Sequence, residues 1–221
     1  MVRDIRKNKD YFISYLEYQY SRLEKRTAKL RESKDDEEKK QRILLSVTGY
    51  EIDLLKAEFS YGALRDDLKT LLIRAIDLIK EYKNPTKEDI LVLLALSIIL
   101  DVEKDAEKIL RANAKVISED RLLNFFSEYI KTGKYEWNKS LGLDDEYSEL
   151  DKVFSSMDRE EYLKKYLDGW YYNHIGYAWY DSHLKDSDTY CGYWSFESSA
   201  IAKIFNLKET ELDLCEYYPK L

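Results

Sequence analysis

The chain has 221 residues, of which 36% are charged and 14% aromatic, with a formal net charge of −7, 7 Gly and 2 Pro. That length holds one domain or two closely packed ones with a sizeable core. Long stretches without breakers favour helices over a many-stranded sheet, which needs frequent turn signals, and the acidic balance argues against holding nucleic acid phosphates.

The acid is unevenly spread. From Asp144 to Leu221 there are 17 acidic and 8 basic residues, and 17 of the 31 aromatic residues fall in the same segment. Such a segment suits a basic protein surface. The two cysteines, Cys191 and Cys215, sit in no CxxC pair or metal-ligand spacing, so they read as free thiols of a reducing compartment. The opening MVRDIRKNKDYF has no apolar signal-peptide core, so a cytoplasmic location is expected. The longest apolar run, Ile90 to Leu100, covers 11 residues. That is too short to cross a bilayer, and no membrane partner is expected.

In chain order, Asn8 to Arg31 reads as a first helix, with Tyr11, Phe12, Tyr15, Leu16, Leu23 and Leu30 forming an apolar stripe. Glu32 to Lys40 is almost wholly charged and reads as a solvated turn. Arg42 to Tyr61 predicts a second helix, Gly62 a break, and Leu64 to Tyr82 a third; the three make an antiparallel bundle. Asn84-Pro85 ends that bundle. Thr86 and Asp89 then offer a capping box for a buried helix over Glu88 to Leu100. Shorter helices follow at Glu103 to Ala114 and Glu119 to Lys131, the second capped by Ser118.

Lys131 to Leu143, with Gly133 and Gly142, reads as a connection. Asp144 to Phe154 predicts a short acidic helix. Asp158 with Glu161 offers a cap for helical structure from Glu160 to about His183, kinked near Gly169 or Gly176. Tyr190 to Phe205 predicts a central helix. At about 100° per residue, Tyr193, Trp194, Phe196, Ala200, Ile201, Ile204 and Phe205 share one arc, with Glu197 near its middle. Asn206 stops it, and a last turn spans Glu209 to Cys215. No strand is expected. These readings predict an all-α protein: an N-terminal antiparallel helical bundle over residues 1–131, packed on a C-terminal helical domain over residues 144–221 that carries the GYWSFE helix.

Glu197 on an apolar arc must be buried or nearly so, and must find donors. A catalytic acid with a raised pKa is one reading. A hydrogen-bond anchor for His183, a tyrosine hydroxyl or an arginine is the other, and it prevails because no nucleophile, glycine-rich loop or metal motif accompanies the glutamate. His174 and His183 are the only histidines, and their spacing of nine matches no ligand pattern within one helix, so no metal or cofactor is expected. The aromatic run Trp170 to Tyr180 could stack bases, but the surrounding acid favours core packing, with some rings left as anchors for a protein partner. Asp144, Asp145, Glu146, Glu149 and Asp151 read either as a solvated face or as an acidic ridge for a cationic cleft.

Three strings carry a resemblance. WYDSH (Trp179 to His183), GYWSFESSAIAKIFNL (Gly192 to Leu207) and EYYPKL (Glu216 to Leu221) resemble the C-terminal region of the PoNi-type immunity proteins. RDIRKNKDYFISYLEYQYSRLEK (Arg3 to Lys25) and GYEIDLLKAEFSYGALRDDLKTLL (Gly49 to Leu72) resemble that family's N-terminal region. About Asn84 to Leu143 matches in helical character more than in motif. Lys220, between Pro219 and Leu221, departs from the family's YYP-aromatic-acidic-Leu ending.

The resemblance implies an all-helical, non-enzymatic protein that protects a bacterium by neutralising a cognate toxin. The toxins, called PoNe, are DNases of the PD-(D/E)xK nuclease superfamily. Trp179, His183, Tyr193, Trp194, Phe196 and Glu197 are then residues of a structural motif. Asp144, Asp145, Glu146, Tyr147, Glu149 and Asp151 are the expected toxin contacts, on the grounds of charge placement. The expected partner is a nuclease toxin, with no direct nucleic acid contact; a homodimer is a further option that the aromatic load allows. The alternatives from other classes are a helical enzyme with a Glu197/His183 site and an adaptor for a non-toxin protein.

Overall fold

The computed structural model describes residues 2–33, 36–135, 140–143, 145–185 and 187–221. Among them the regular structure is helical, with no strand: α1 (Lys9–Glu32), α2 (Glu37–Tyr61), α3 (Arg65–Ile79), α4 (Lys87–Leu100), α5 (Glu103–Ala112), α6 (Ala114–Glu119), α7 (Arg121–Thr132), α8 (Leu150–Ser155), α9 (Arg159–Asn173), α10 (Phe196–Ile204) and α11 (Glu209–Leu212). Single 3-10 turns lie at Asp145–Tyr147 and Ser182–Leu184. The protein is all-α, as the scarcity of breakers predicts. The chain divides into two compact units, Met1–Leu93 with Asp181–Gly192, and Leu94–Tyr180 with Tyr193–Leu221.

In the first unit α1 packs on α2 and α2 on α3. Cross-contacts give the direction. Tyr20 on α1 donates to Glu58 near the end of α2, whereas Arg22 lies over the ring of Tyr50, two turns earlier. Likewise Gln41 reaches the carbonyl of Glu81, and Arg74 reaches Glu51. As one helix advances its neighbour recedes, so the three are antiparallel. The core between them holds Phe12, Tyr15, Leu44, Leu54, Leu55, Phe59, Leu72 and Ile76, all buried.

The caps explain the boundaries. The Asn8 side chain accepts from the Tyr11 amide and starts α1. The Asp36 side chain accepts from the Lys39 amide, so α2 begins at Glu37 and not at Arg42. Glu37 and Glu38 favour the positive end of the helix, and the charged run is therefore partly helical. Gly62, at φ 103°, ends α2 in the left-handed region. Thr86 and Asp89 exchange hydrogen bonds of 3.4 and 3.1 Å, the expected capping box for α4. Every residue from Ile90 to Leu100 is buried.

The segment Asp181–Gly192 is held by side chains of α1, α2 and the N-terminal stretch. The Tyr11 hydroxyl donates to the Tyr190 carbonyl (2.9 Å) and accepts from its amide (3.0 Å). The Tyr190 hydroxyl donates to Asp4, and Ser60 donates to the Cys191 carbonyl. Backbone groups with no helical partners are thus satisfied by side chains.

In the second unit α7 begins at Arg121. Its cap is Asp120, whose side chain accepts from the Leu123 amide, and not Ser118, whose hydroxyl donates to the Lys115 carbonyl. Asp158 stands at the N-cap of α9 without a side-chain cap bond. That helix ends at Asn173, short of His183, and the chain then turns through Gly176 at φ 100°.

The central helix is also shorter than predicted. Residues 190–195 are not helical, and α10 starts at Phe196. Gly192 sits at φ 115°, and the Ser195 amide donates to the Tyr217 carbonyl at 2.9 Å. The helical arc therefore holds only from Phe196 onward. Phe196 to Ala202 is buried on all sides. Asn206, at φ 50°, stops α10 as predicted, with Leu207 N–H to Ala202 O and Asn206 N–H to Lys203 O. The Lys203 ammonium reaches the Ile98 and Ile99 carbonyls at the C-terminus of α4, where a cation is favoured.

Candidate functional site

Glu197 lies in the first turn of α10 and is 5% exposed. Three neutral donors converge on its Oε1: the Tyr166 hydroxyl at 2.8 Å, the Trp170 indole N–H at 2.7 Å and the Ser195 hydroxyl at 2.6 Å. Ser195 spends its single proton there and accepts from Ser198. Tyr166 and Trp170 are one helical turn apart on α9, so one face of that helix reaches a single oxygen. Burial and the facing carboxylate push the Tyr166 phenol far above its ordinary value of 10, which keeps it a donor. The arrangement pins α9, α10 and the segment before α10 to one point.

Around it lies an aromatic stack. Trp170 stacks on Trp179 (centroids 5.4 Å, 15°), and Tyr171 stacks on Tyr217 (5.6 Å, 6°) and on Tyr180 (4.4 Å, 22°). The Tyr193 ring meets both Tyr171 and Trp179, and its hydroxyl donates to the Trp179 carbonyl. His174 is buried against Trp170 and Trp179, with Nδ1 2.6 Å from the Trp170 carbonyl. A carbonyl can only accept, so Nδ1 carries the proton. Of the residues expected to form a structural motif, Tyr193, Phe196 and Glu197 are buried, while Trp179 and Trp194 are half-buried.

The acidic segment packs beside this stack. Asp144 lies outside the described residues, as does the side chain of Asp145. Glu146 accepts from the Tyr177 hydroxyl. The Tyr147 ring meets His174 edge-on at 5.9 Å. Asp151 accepts from the Ser140 hydroxyl and from the Leu143 amide. Glu149 is exposed. Hydroxyl and amide donors hold these carboxylates in place without cancelling their charge. The roles of Tyr177 and Ser140 in seating the segment had no signature in the sequence.

In the first unit, His183 stands against the Tyr190 ring; burial and Arg6 lower its pKa, which favours the neutral imidazole. Cys191 is buried with its Sγ 3.9 Å from Asp53, and burial pushes the thiol well above its ordinary value. A thiol so placed is a poor nucleophile. Lys56 meets Glu88 at 3.6 Å in the same unit. Among the described residues no group of three or more His, Cys, Asp or Glu is placed to hold a metal ion, and no helix is long and apolar enough to cross a membrane.

Residues 118–221 match the family described as PoNe immunity proteins (PoNi), C-terminal. The match takes in the acidic segment, the aromatic stack, α10 and the tail, and does not separately cover the N-terminal region. No curated protein and no solved structure matches the chain.

Proposed function

We propose that this chain, whose C-terminal region is that of the PoNi family of immunity proteins, binds a cognate DNase toxin and neutralises it by covering its active site or DNA-binding cleft. The family match over residues 118–221 carries the reading. Charge supports it. The first unit holds 21 basic and 21 acidic residues, the second 15 and 22, so the entire surplus of −7 falls to the second. A DNase needs cationic side chains to hold phosphates, and an acidic inhibitor meets them with faster encounter. The acidic ridge of Asp144, Asp145, Glu146, Glu149 and Asp151, with Tyr147, is the proposed contact. The protein acts in the cytoplasm, without cofactor or catalysis of its own.

The test is co-expression with the toxin domain encoded beside this chain, followed by pull-down and a DNA-cleavage assay. A stoichiometric complex that abolishes cleavage is the expected result. An active nuclease that neither binds nor is inhibited would sink the pairing. Reversing Asp144, Asp145 and Glu149 together to Lys should weaken the complex by at least tenfold; unchanged affinity would move the contact off the ridge.

A further inference from the structure

We propose that Tyr172, in the last turn of α9, and Ile175, just past its end, are the apolar anchor with which the chain grips the cationic, DNA-holding surface of a nuclease, and that Glu149 and Asp168 flank that anchor. The proposal rests on the immunity reading above and adds the residues that supply affinity. Tyr172 is 67% and Ile175 66% exposed, in a unit whose other large aromatics beside them are buried or half-buried. Tyr172 is not a loose side chain. Its ring packs edge-on against Tyr171 at 5.9 Å, and Tyr171 is stacked on Tyr217 and Tyr180. An exposed ring on a rigid base loses little freedom when a partner covers it, and Tyr is among the residues that dominate interface energies.

The surroundings select the partner's charge. A Cβ added at Gly169 would lie 3.3 Å from Glu149 Oε2 and 3.4 Å from Asn173 Nδ2. The missing side chain thus lets the Glu149 carboxylate lie against α9 beside the anchor. Asp168 is exposed one helical turn before Tyr172. From Tyr166 to Tyr180 the chain has no Lys or Arg. Lys165, the nearest preceding cation on that face, is paired with Glu161, and Lys164 is paired with Glu211 at 2.7 Å. An open tyrosine face bordered by two carboxylates, whose nearest lysines are already paired, takes up a guanidinium or ammonium group, through cation–π attraction and charge-assisted hydrogen bonds. Arg and Lys side chains lining a DNA-binding cleft have that chemistry. Met157 and Leu214, two further exposed apolar residues of the unit, serve as controls.

The experiment measures affinity of the full chain for a catalytically inactivated form of the nuclease domain encoded beside it. The wild type is compared with Tyr172→Ala, Tyr172→Phe, the Tyr172→Ala/Ile175→Ser pair, and Met157→Ser/Leu214→Ser, each checked for an unchanged unfolding midpoint. Tyr172→Ala should weaken binding by about 30-fold and the pair by more, Tyr172→Phe by no more than about threefold, and the control pair by less than about twofold. If the wild type binds and the Tyr172→Ala/Ile175→Ser chain binds as tightly, the anchor is wrong and immunity stands. Equal losses in the control pair also overturn it. If the wild type itself does not bind, the immunity reading fails, and the anchor with it.

Discussion

Glu197 keeps a carboxylate in an apolar interior by drawing three donors onto one oxygen. Removing the acceptor strands a buried phenol and a buried indole N–H, so Glu197→Ala should cost about 3 kcal/mol or more in urea unfolding, and Tyr166→Phe about 2 kcal/mol. A catalytic Glu197 would give the opposite pattern: an activity lost on Glu197→Gln with little change in stability. That this glutamate is buried follows from its place among apolar neighbours in the sequence. Its partners did not, because Tyr166 and Trp170 lie about thirty residues away and only the packing of α9 on α10 brings them together. Glu51 in the first unit is less well served. It is 1% exposed; Arg74 reaches one oxygen at 3.1 Å, and the other, Oε1, has no hydrogen-bond partner among the described residues. Burial raises its pKa above the ordinary 4.5, with Arg74 opposing. The folded chain then holds this proton more tightly than the unfolded one, so the group's contribution to stability is full at low pH and falls as pH rises through the raised value. Glu51→Gln mimics the protonated form. Its stability relative to wild type should be near zero at about pH 4 and should increase towards about pH 8, read from chemical denaturation at each pH. A flat difference would show that Arg74 fully compensates the charge.

Helices α1 to α4 were legible because each carries its own signals: Asn8, Gly62 and the Thr86–Asp89 box mark ends that the structure keeps. Gly62 has the sharpest requirement. At φ 103° an added Cβ is strained, so Gly62→Ala should lower stability by about 1–2 kcal/mol, whereas Gly49→Ala, inside α2 with open space around its Cβ position, should raise it by up to about 1 kcal/mol. Thermal unfolding of the two variants side by side checks both signs. The stretch before α10 was misread for a physical reason. Tyr193 and Trp194 fit a helical arc with Phe196, but the chain before Phe196 is not helical and the Ser195 amide pairs instead with the Tyr217 carbonyl, a contact with a segment at the far end of the chain. Periodicity cannot distinguish the two when every side of the helix that follows is buried. The cap of α7 failed for a milder reason: Ser118 and Asp120 are both good cap residues, and the stronger acceptor took the position.

The distribution of charge over the whole molecule sets how it meets a partner. One unit is neutral and the other carries the full −7, yet some exposed carboxylates of α9 and α11 are already shared with lysines, in Glu161–Lys165 and Glu211–Lys164. Exposed pairs of this kind contribute little to stability, and salt weakens them at little cost to the fold. The long-range field is different, because it acts before contact and depends on the unbalanced charge. Raising salt from about 50 to about 500 mM shortens the screening length severalfold. The association rate with a cationic nuclease should then fall by about tenfold or more, while the dissociation rate, if set by the proposed apolar anchor at Tyr172 and Ile175, should change little. Stopped-flow or biosensor kinetics across that range separates the two. An association rate indifferent to salt would remove steering from the mechanism and leave the apolar grip to act alone. A dissociation rate that rises as steeply as association falls would mean that charge pairs, and not the tyrosine anchor, hold the complex.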